Sequence, residues 1–154
     1  MSKPYYYRCL VPFHLADPAG MLFFGHAFTL FHQAFEHFIL HQLAYPWHLW
    51  FQNPDWIVPI KHAEAQYLAP IQAGQDCQIE LIVSSVSTSS FTIASSIQQN
   101  QSCCSIKTVH VFCNRLTKKK MPIPQDLMSH FHGQQEVLTR NIRGEKWNIC
   151  NFKF

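Results

Sequence analysis

The run Asp17-Pro18-Ala19-Gly20, followed by Met21-Leu22-Phe23-Phe24-Gly25, sets one carboxylate in otherwise apolar surroundings, just ahead of a segment with helical periodicity. The first turn of a helix carries backbone N–H groups without a partner in the helix, aimed along its axis. Such groups polarise a carbonyl and hold the oxyanion that develops during acyl transfer. The N–H groups near Phe24 and Gly25, with Asp17 beside them, would bracket a carbonyl carbon, and the carboxylate would attack it directly or activate water. Spacing alone describes Asp17 equally well as a turn residue or a helix N-cap, so both readings stand at this level.

Other chemistry-bearing side chains follow in the same helix. His26 sits one residue in, near enough to the N-terminal turn to reach a bound molecule or simply to occupy the turn. His32 and Glu36 are four residues apart, as are His37 and His41, so each pair shares a helix face. His32 and Glu36 read either as a satisfied polar pair where the helix meets a partner subunit or as lining of a substrate pocket. The two pairs are rotated by about 100° from each other and no third ligand converges on them, so no metal site is expected. Glu64 reads as a structural or pocket-rim carboxylate, and Trp47, Trp50 and Trp56 as pocket wall or interface packing. Arg115, Lys118, Lys119 and Lys120 form a basic cluster, either a solvated loop or a phosphate-contacting patch. Neither G-x-G-x-x-G nor G-x-x-x-x-G-K occurs, so no nucleotide loop of those kinds competes.

These residues need elements to position them. Residues 5–13 read as a strand ending near Pro12, and Pro18 and Gly20 punctuate a turn. From about 25 to 43, Phe28, Phe31, Phe35, Phe38 and Ile39 recur at helical spacing over so much of the girth that the helix should be buried. That predicts an α+β domain in which a sheet wraps around one central helix. Residues 45–56, aromatic with two prolines, read as an ordered loop or short helix. Strands are predicted over 57–69, ended by Pro70 and Gly74, then 76–87, 90–98 and 103–113, joined as antiparallel hairpins by polar turns. Pro122 and Pro124 end the sheet, and the tail reads as a helix plus an extended arm.

The 154 residues and 18.0 kDa fit one domain over 1–154, with a core over about 5–125 and a C-terminal extension over 126–154. Thirteen Phe, five Tyr and four Trp accompany a charged fraction of only 14%, which points to a small exposed surface and so to a homo-oligomer. A net charge of +3 does not by itself indicate a nucleic-acid partner. Of the six cysteines, Cys9, Cys77, Cys103 and Cys113 fall in strand-like runs as small hydrophobes, and no C-x-x-C occurs. The N-terminus lacks an apolar signal segment and residues 21–31 are too short to span a bilayer, so a cytoplasmic protein without membrane insertion is expected.

The stretch DPAGMLFFGHAFTLFHQAFE over 17–36 closely resembles the signature of the 4-hydroxybenzoyl-CoA thioesterase family, and within it looks nearest to the 1,4-dihydroxy-2-naphthoyl-CoA thioesterases. The stretch PIKHAEAQYLAPIQAG over 59–74 resembles the family's second strand and following turn. The resemblance implies a hotdog fold, a long central helix wrapped by a curved antiparallel sheet, in paired subunits often assembled as tetramers with sites at the interface. It implies hydrolysis of an acyl-CoA to an acid and free CoA, with Asp17 as the catalytic aspartate and the Phe24–Gly25 stretch as the oxyanion-binding backbone. No cofactor is implied beyond the CoA of the substrate, whose phosphates Arg115 and Lys118 to Lys120 would contact. Leu15 and Gln75 depart from the family's usual residues near the aspartate and after the second turn. A non-catalytic hotdog module that binds an acyl-CoA or acyl-carrier-protein group is the alternative.

Overall fold

The computed structural model describes residues 3–131; the arm expected beyond them lies outside the described residues. Five antiparallel strands, β1 (Tyr5–Leu10), β3 (Ile60–Tyr67), β4 (Asp76–Val86), β5 (Ser90–Gln98) and β6 (Ser102–Val111), form one sheet in the order β1-β4-β5-β6-β3. A ribbon of β2 (Trp56–Ile57) and β7 (Cys113–Asn114) stands beside it. The long helix α1 (Ala27–His41) packs against the sheet, and the short helix α2 (Trp47–Phe51) follows it. This is the hotdog arrangement expected from the sequence.

Proline explains two boundaries. The strand predicted over 57–69 divides into β2 and β3 at Pro59, which cannot donate to a ladder. Helix α2 begins directly after Pro46, whose extended backbone stops anything helical before it. The strand predicted over 103–113 likewise divides at Phe112, whose N–H turns away to the Ser89 carbonyl.

Helix α1 buries Ala27, Leu30, Phe31, Ala34, Phe35, Phe38 and Ile39, a clean three-and-four stripe. Neither end has a side-chain cap. A cap contributes about 1 kcal/mol, whereas each fully buried Phe or Ile contributes on the order of 2 kcal/mol. Docking on the sheet therefore holds this helix, and its own termini do not. Within one chain the sheet covers only one side of it: Thr29, Gln33, Glu36, His37 and His41 stay in solvent. The facing stripe comes from Ile79, Leu81 and Val83 of β4 and Phe91, Ile93 and Ile97 of β5, where burial alternates with period two.

Aromatic rings fill one end of the core. Trp50 and Trp56, 2% and 5% exposed, meet each other edge-on and both pack on Phe112. Helical residues 125–131 bring Phe131 onto Phe91 at 4.8 Å and bury Leu127. His110 lies inside this cluster, stacked on Phe91 at 4.7 Å and bonded through Nε2 to the Thr108 hydroxyl at 2.9 Å.

Burial, helped by the neighbouring His32, pushes His110 down to about 3 from an ordinary value near 6.5. The folded chain therefore binds fewer protons here than the unfolded chain between those two values. Its contribution to stability is complete above pH 6.5 and is lost as pH falls toward 3. Melting temperature measured from pH 7.5 to 4 should fall for the wild type. The double variant His110→Phe with Thr108→Val, which leaves no unpaired hydroxyl, should flatten that fall.

Candidate active site

Two loops build the candidate site, and each satisfies the other's backbone. The connection 68–75 leaves β3, and the N–H groups of Leu68 and Ala69 donate to the Cys103 carbonyl. The Gln99 side chain then clasps Gln72, accepting from its N–H at 2.8 Å and donating to its carbonyl at 2.9 Å. Gly74, at φ +76°, donates to the Val11 carbonyl, and its bare face lies where a Cβ would stand 2.8 Å from the Phe13 ring. On this connection rests the segment between β1 and α1. Leu22 donates to Ile71 at 2.8 Å, and Ala73 donates to Gly20 at 3.1 Å.

Asp17 stands at the head of that segment. Its N–H donates to the Met21 carbonyl at 2.7 Å, and its carbonyl accepts from Gly20, which turns at φ +78°. Carboxylate oxygen Oδ1 accepts the N–H groups of Ala19 at 2.8 Å and Met21 at 3.2 Å. No side chain or backbone group among the described residues bonds Oδ2. So Asp17 is a turn residue in its local geometry, with one oxygen fixed by the turn and the other unbonded among the described residues. It is not the cap of α1; that position is His26.

Beyond Asp17 the chain makes a single 3-10 turn, Phe24–His26, before α1 begins. The N–H groups of Phe24 and Gly25 bond no acceptor among the described residues, as expected at the start of a helical segment. Asp17, Met21, Phe23 and Phe24 on one side and Tyr67, Leu68, Pro70 and Ile71 on the other line a cleft of about 690 Å³. The walls are apolar except for the Asp17 carboxylate and the Tyr67 hydroxyl.

Tyr67 is the cleft residue that sequence reasoning missed. Its hydroxyl donates to the Phe24 carbonyl at 2.5 Å, and its ring meets the Phe24 ring edge-on. The Phe24 carbonyl also accepts the Ala27 N–H. That carbonyl and the Gly25 N–H belong to one planar peptide group. Two donors on its oxygen fix the plane and draw electron density toward it, which makes the Gly25 N–H a stronger donor. Burial raises the Tyr67 hydroxyl above its ordinary value, with the nearby Cys104 adding to the effect, so it remains a donor. A tyrosine in a strand-like run, 43 positions from its partner, carries no sequence signal for this bond.

The remaining candidates are not gathered here. His26 turns back to the Thr29 hydroxyl at 3.3 Å and lies edge-on to Phe23. His32 and Glu36 bond each other at 3.1 Å on the open face of α1, next to Phe51, and do not line the cleft of the single chain. Glu64 lies exposed on β3 between His62 and Lys107, and the His62 hydrogen bond, then Lys107, hold its carboxyl below the ordinary range. Arg115 spends its guanidinium on the carbonyls of Asn53 and Phe51, tying the α2–β2 loop to β7. Lys118, Lys119 and Lys120 are exposed on the turn after β7, with Lys118 at φ +59°. Trp47 is 53% exposed, while Trp50 and Trp56 are core residues. Among the described residues no group of three or more His, Cys, Asp and Glu is placed to hold a metal ion.

The fold agrees with comparison to known proteins. The profile of the Thioesterase-like superfamily matches residues 11–131, and the chain belongs to that superfamily. It is 29% identical over 133 residues to a 1,4-dihydroxy-2-naphthoyl-CoA hydrolase of Microcystis aeruginosa, covering 86% of this chain and 95% of the relative. It is 25% identical over 117 residues to an enzyme of the same name from Acaryochloris marina, covering 73% and 85%. In three dimensions it superposes on a 1,4-dihydroxy-2-naphthoyl-CoA thioesterase from Synechocystis with a TM-score of 0.78 at 23% identity, over 84% of this chain and 96% of the other. A gentisyl-coenzyme A thioesterase superposes with a TM-score of 0.70 at 25% identity, over 84% and 99%. The chain is thus an enzyme of the thioester-hydrolase class, as its sequence suggested.

Replacing Tyr67 with Phe keeps the ring and removes the hydroxyl. Turnover of a thioester should fall by roughly 10-fold, the worth of one hydrogen bond that matters in the transition state, with KM changed less than about 2-fold. Steady-state kinetics on the two proteins decide the point: a loss confined to KM would make Tyr67 part of ground-state binding instead.

Proposed function

We propose that this protein hydrolyses an aromatic acyl-CoA, R–CO–S–CoA, to the free acid and CoA, with Asp17 as its catalytic carboxylate. One observation carries the reading: Asp17, with one carboxylate oxygen unbonded among the described residues, and Phe24, which opens the turn whose first N–H groups are unbonded among them, line the same apolar cleft. The thioester carbonyl oxygen would sit on the N–H groups of Phe24 and Gly25, where negative charge grows as the carbonyl carbon becomes tetrahedral. Asp17 would then add to that carbon, expelling the CoA thiolate and leaving the acyl group on Asp17 as a mixed anhydride that water opens, or would take a proton from the attacking water. Both routes use the same atoms. In a single turnover in ¹⁸O-water, label in the Asp17 side chain marks the first route; label in the product acid alone fits the second route, or the first with water opening the anhydride at the acyl carbon, and an acyl adduct on Asp17 trapped by rapid quench then marks the first.

Supporting the aromatic class are the relatives' names and the cleft wall of Phe23, Phe24 and Tyr67. The narrower placement in the 4-hydroxybenzoyl-CoA thioesterase family belongs to the same proposal, as do a cytoplasmic location and a mechanism with no resident cofactor. No helix among the described residues is long and apolar enough to cross a membrane. CoA phosphates would rest on Lys118, Lys119 and Lys120, whose ammonium groups are exposed; Arg115 would shape the loop that presents them.

The working unit would be a homodimer or tetramer. Edge strand β3 is exposed along nearly its whole length, and Ile60, Tyr67 and Leu68 are large apolar side chains left at 43%, 44% and 52% exposure. A partner on this edge would complete the cleft and bring the open face of α1, with His32 and Glu36, toward a neighbouring subunit. Light scattering after size exclusion should give two or four times 18.0 kDa; a monomer would remove the interface from the proposal.

Free-thiol release from a panel of aryl- and fatty-acyl-CoAs, with wild type beside Asp17→Asn, tests the reaction. Wild-type turnover that is fastest on aryl substrates and falls at least about 100-fold in the variant, at unchanged melting temperature, is the expected result. Tight acyl-CoA binding without hydrolysis by the wild type would make this a binding module. Turnover that survives in Asp17→Asn would keep the enzyme and dismiss Asp17.

A further inference from the structure

Strand β1 pairs with β4 alone, and in that register Cys9 stands directly opposite Cys77. Both side chains point to the inner face of the sheet, where their sulfurs are 3.5 Å apart. Opposed residues of an antiparallel pair have Cα atoms about 4.5–5.5 Å apart, within the roughly 4.4–6.8 Å that a disulfide spans. Side-chain rotation can bring the sulfurs to bonding distance with little movement of the backbone. The pair is reached through Cys9, which is half-buried, whereas Cys77 is buried behind it; both line an open surface pocket of about 550 Å³ together with Arg8, Asp76 and Gln98. Cys103 and Cys104 are buried as well, but turn their thiols to the carbonyls of Gln101 and Ser105.

We propose that Cys9 and Cys77 are a reversible thiol–disulfide couple, a modification site on the edge strand that a small-molecule disulfide such as oxidised glutathione closes. The Cys9 thiolate attacks one sulfur of the oxidant, forming a mixed disulfide and releasing one glutathione thiolate. Cys77, losing its proton to solvent, attacks the Cys9 sulfur, forms the internal disulfide and expels the second glutathione thiolate. Two protein thiols are oxidised, one disulfide is reduced, and two glutathione thiols result. The order of attack follows from exposure, since Cys9 is half-buried and Cys77 buried; the shared S–H contact favours the same order, holding Cys9 below its ordinary value, while that contact and burial push Cys77 upward.

Closure would tie together residues 68 positions apart, a long loop whose restriction removes much unfolded-state freedom. It would also fasten the strand that runs into Val11, whose backbone is bonded to Gly74 and Gln75 at the base of the loop connection. Neither thiol touches the candidate site, so the consequence is stability of the edge. This inference stands apart from the proposed reaction.

The full-length protein, reduced and then incubated natively with oxidised glutathione, should lose two thiols and yield a Cys9–Cys77 linked peptide by mass spectrometry. Its melting temperature should rise by about 5 °C, and dithiothreitol should reverse both changes. Cys9→Ser should abolish them; Cys77→Ala is the second control, and the half-buried Cys9 position serves alone if the buried substitution does not fold. A glutathione adduct that persists on Cys9, or a link from Cys9 to any other cysteine, would overturn the proposal.

Discussion

The sheet order forces one awkward connection, and the candidate site is built on it. The chain leaves β3 at one edge of the sheet and must re-enter at β4, next to the opposite edge. That is three strand spacings, about 14 Å, to be crossed by residues 68–75 over the ends of β6 and β5. A segment so placed has no ladder of its own, and each of its N–H and carbonyl groups must find a partner or stay in water. Cys103, Gln99 and Val11 supply partners from below, in the order in which the connection passes them. Gly20 and Leu22 supply the rest from above. The Asp17 turn is where it is because the crossing needs a second strand-like layer to bond.

A consequence is that the segment after β1 reaches the far edge of the sheet. The segment after β1 starts at one edge, and Tyr67 ends the strand at the other, yet Tyr67 bonds Phe24. The two edges are four strand spacings, about 19 Å, apart, and residues 11–24 cover that distance by running back along 68–75, bonded to it at Gly74, Ala73 and Ile71. The same contact that joins this segment to the β3 edge fixes the Phe24–Gly25 peptide beside the cleft.

How much of this was legible in the sequence follows from which forces are local. The α1 stripe and the alternation of β4 and β5 were readable because burial imposes periods of 3.6 and 2 on neighbouring residues. Asp17, Phe24 and Gly25 were readable because a turn, a carboxylate and a helix start fall within nine positions. Tyr67 was not, since its partner lies on the far side of a loop. Arg115 read as a free cation because a run of basic residues looks solvated; only the folded α2–β2 loop reveals the two carbonyls that take its donors. Trp47, Trp50 and Trp56 looked alike in sequence, and three-dimensional packing then buried two and left one in solvent. The division of the expected strands at Pro59 was written in the sequence, but Phe112 diverges for a tertiary reason, its bond to Ser89.

Two polar groups set among rings, His110 and Asp17, show how the chain separates stability from chemistry. His110 is enclosed by Phe35 and Phe91 and has its hydrogen bond supplied from the same strand by Thr108. Nothing further is asked of it, and enclosure keeps it neutral. Asp17 is only half-buried, and its fixed oxygen is held by backbone N–H groups of its own turn. Backbone donors cannot swing away as side chains can, so the carboxylate is held in place with no cation bonded to it among the described residues. An arginine in that place would neutralise the carboxylate and fill the cleft. A turn that spends only main-chain atoms on positioning leaves the cleft wall apolar, where an acyl chain or ring can displace water and the carbonyl can lie against the one peptide that Tyr67 holds in place.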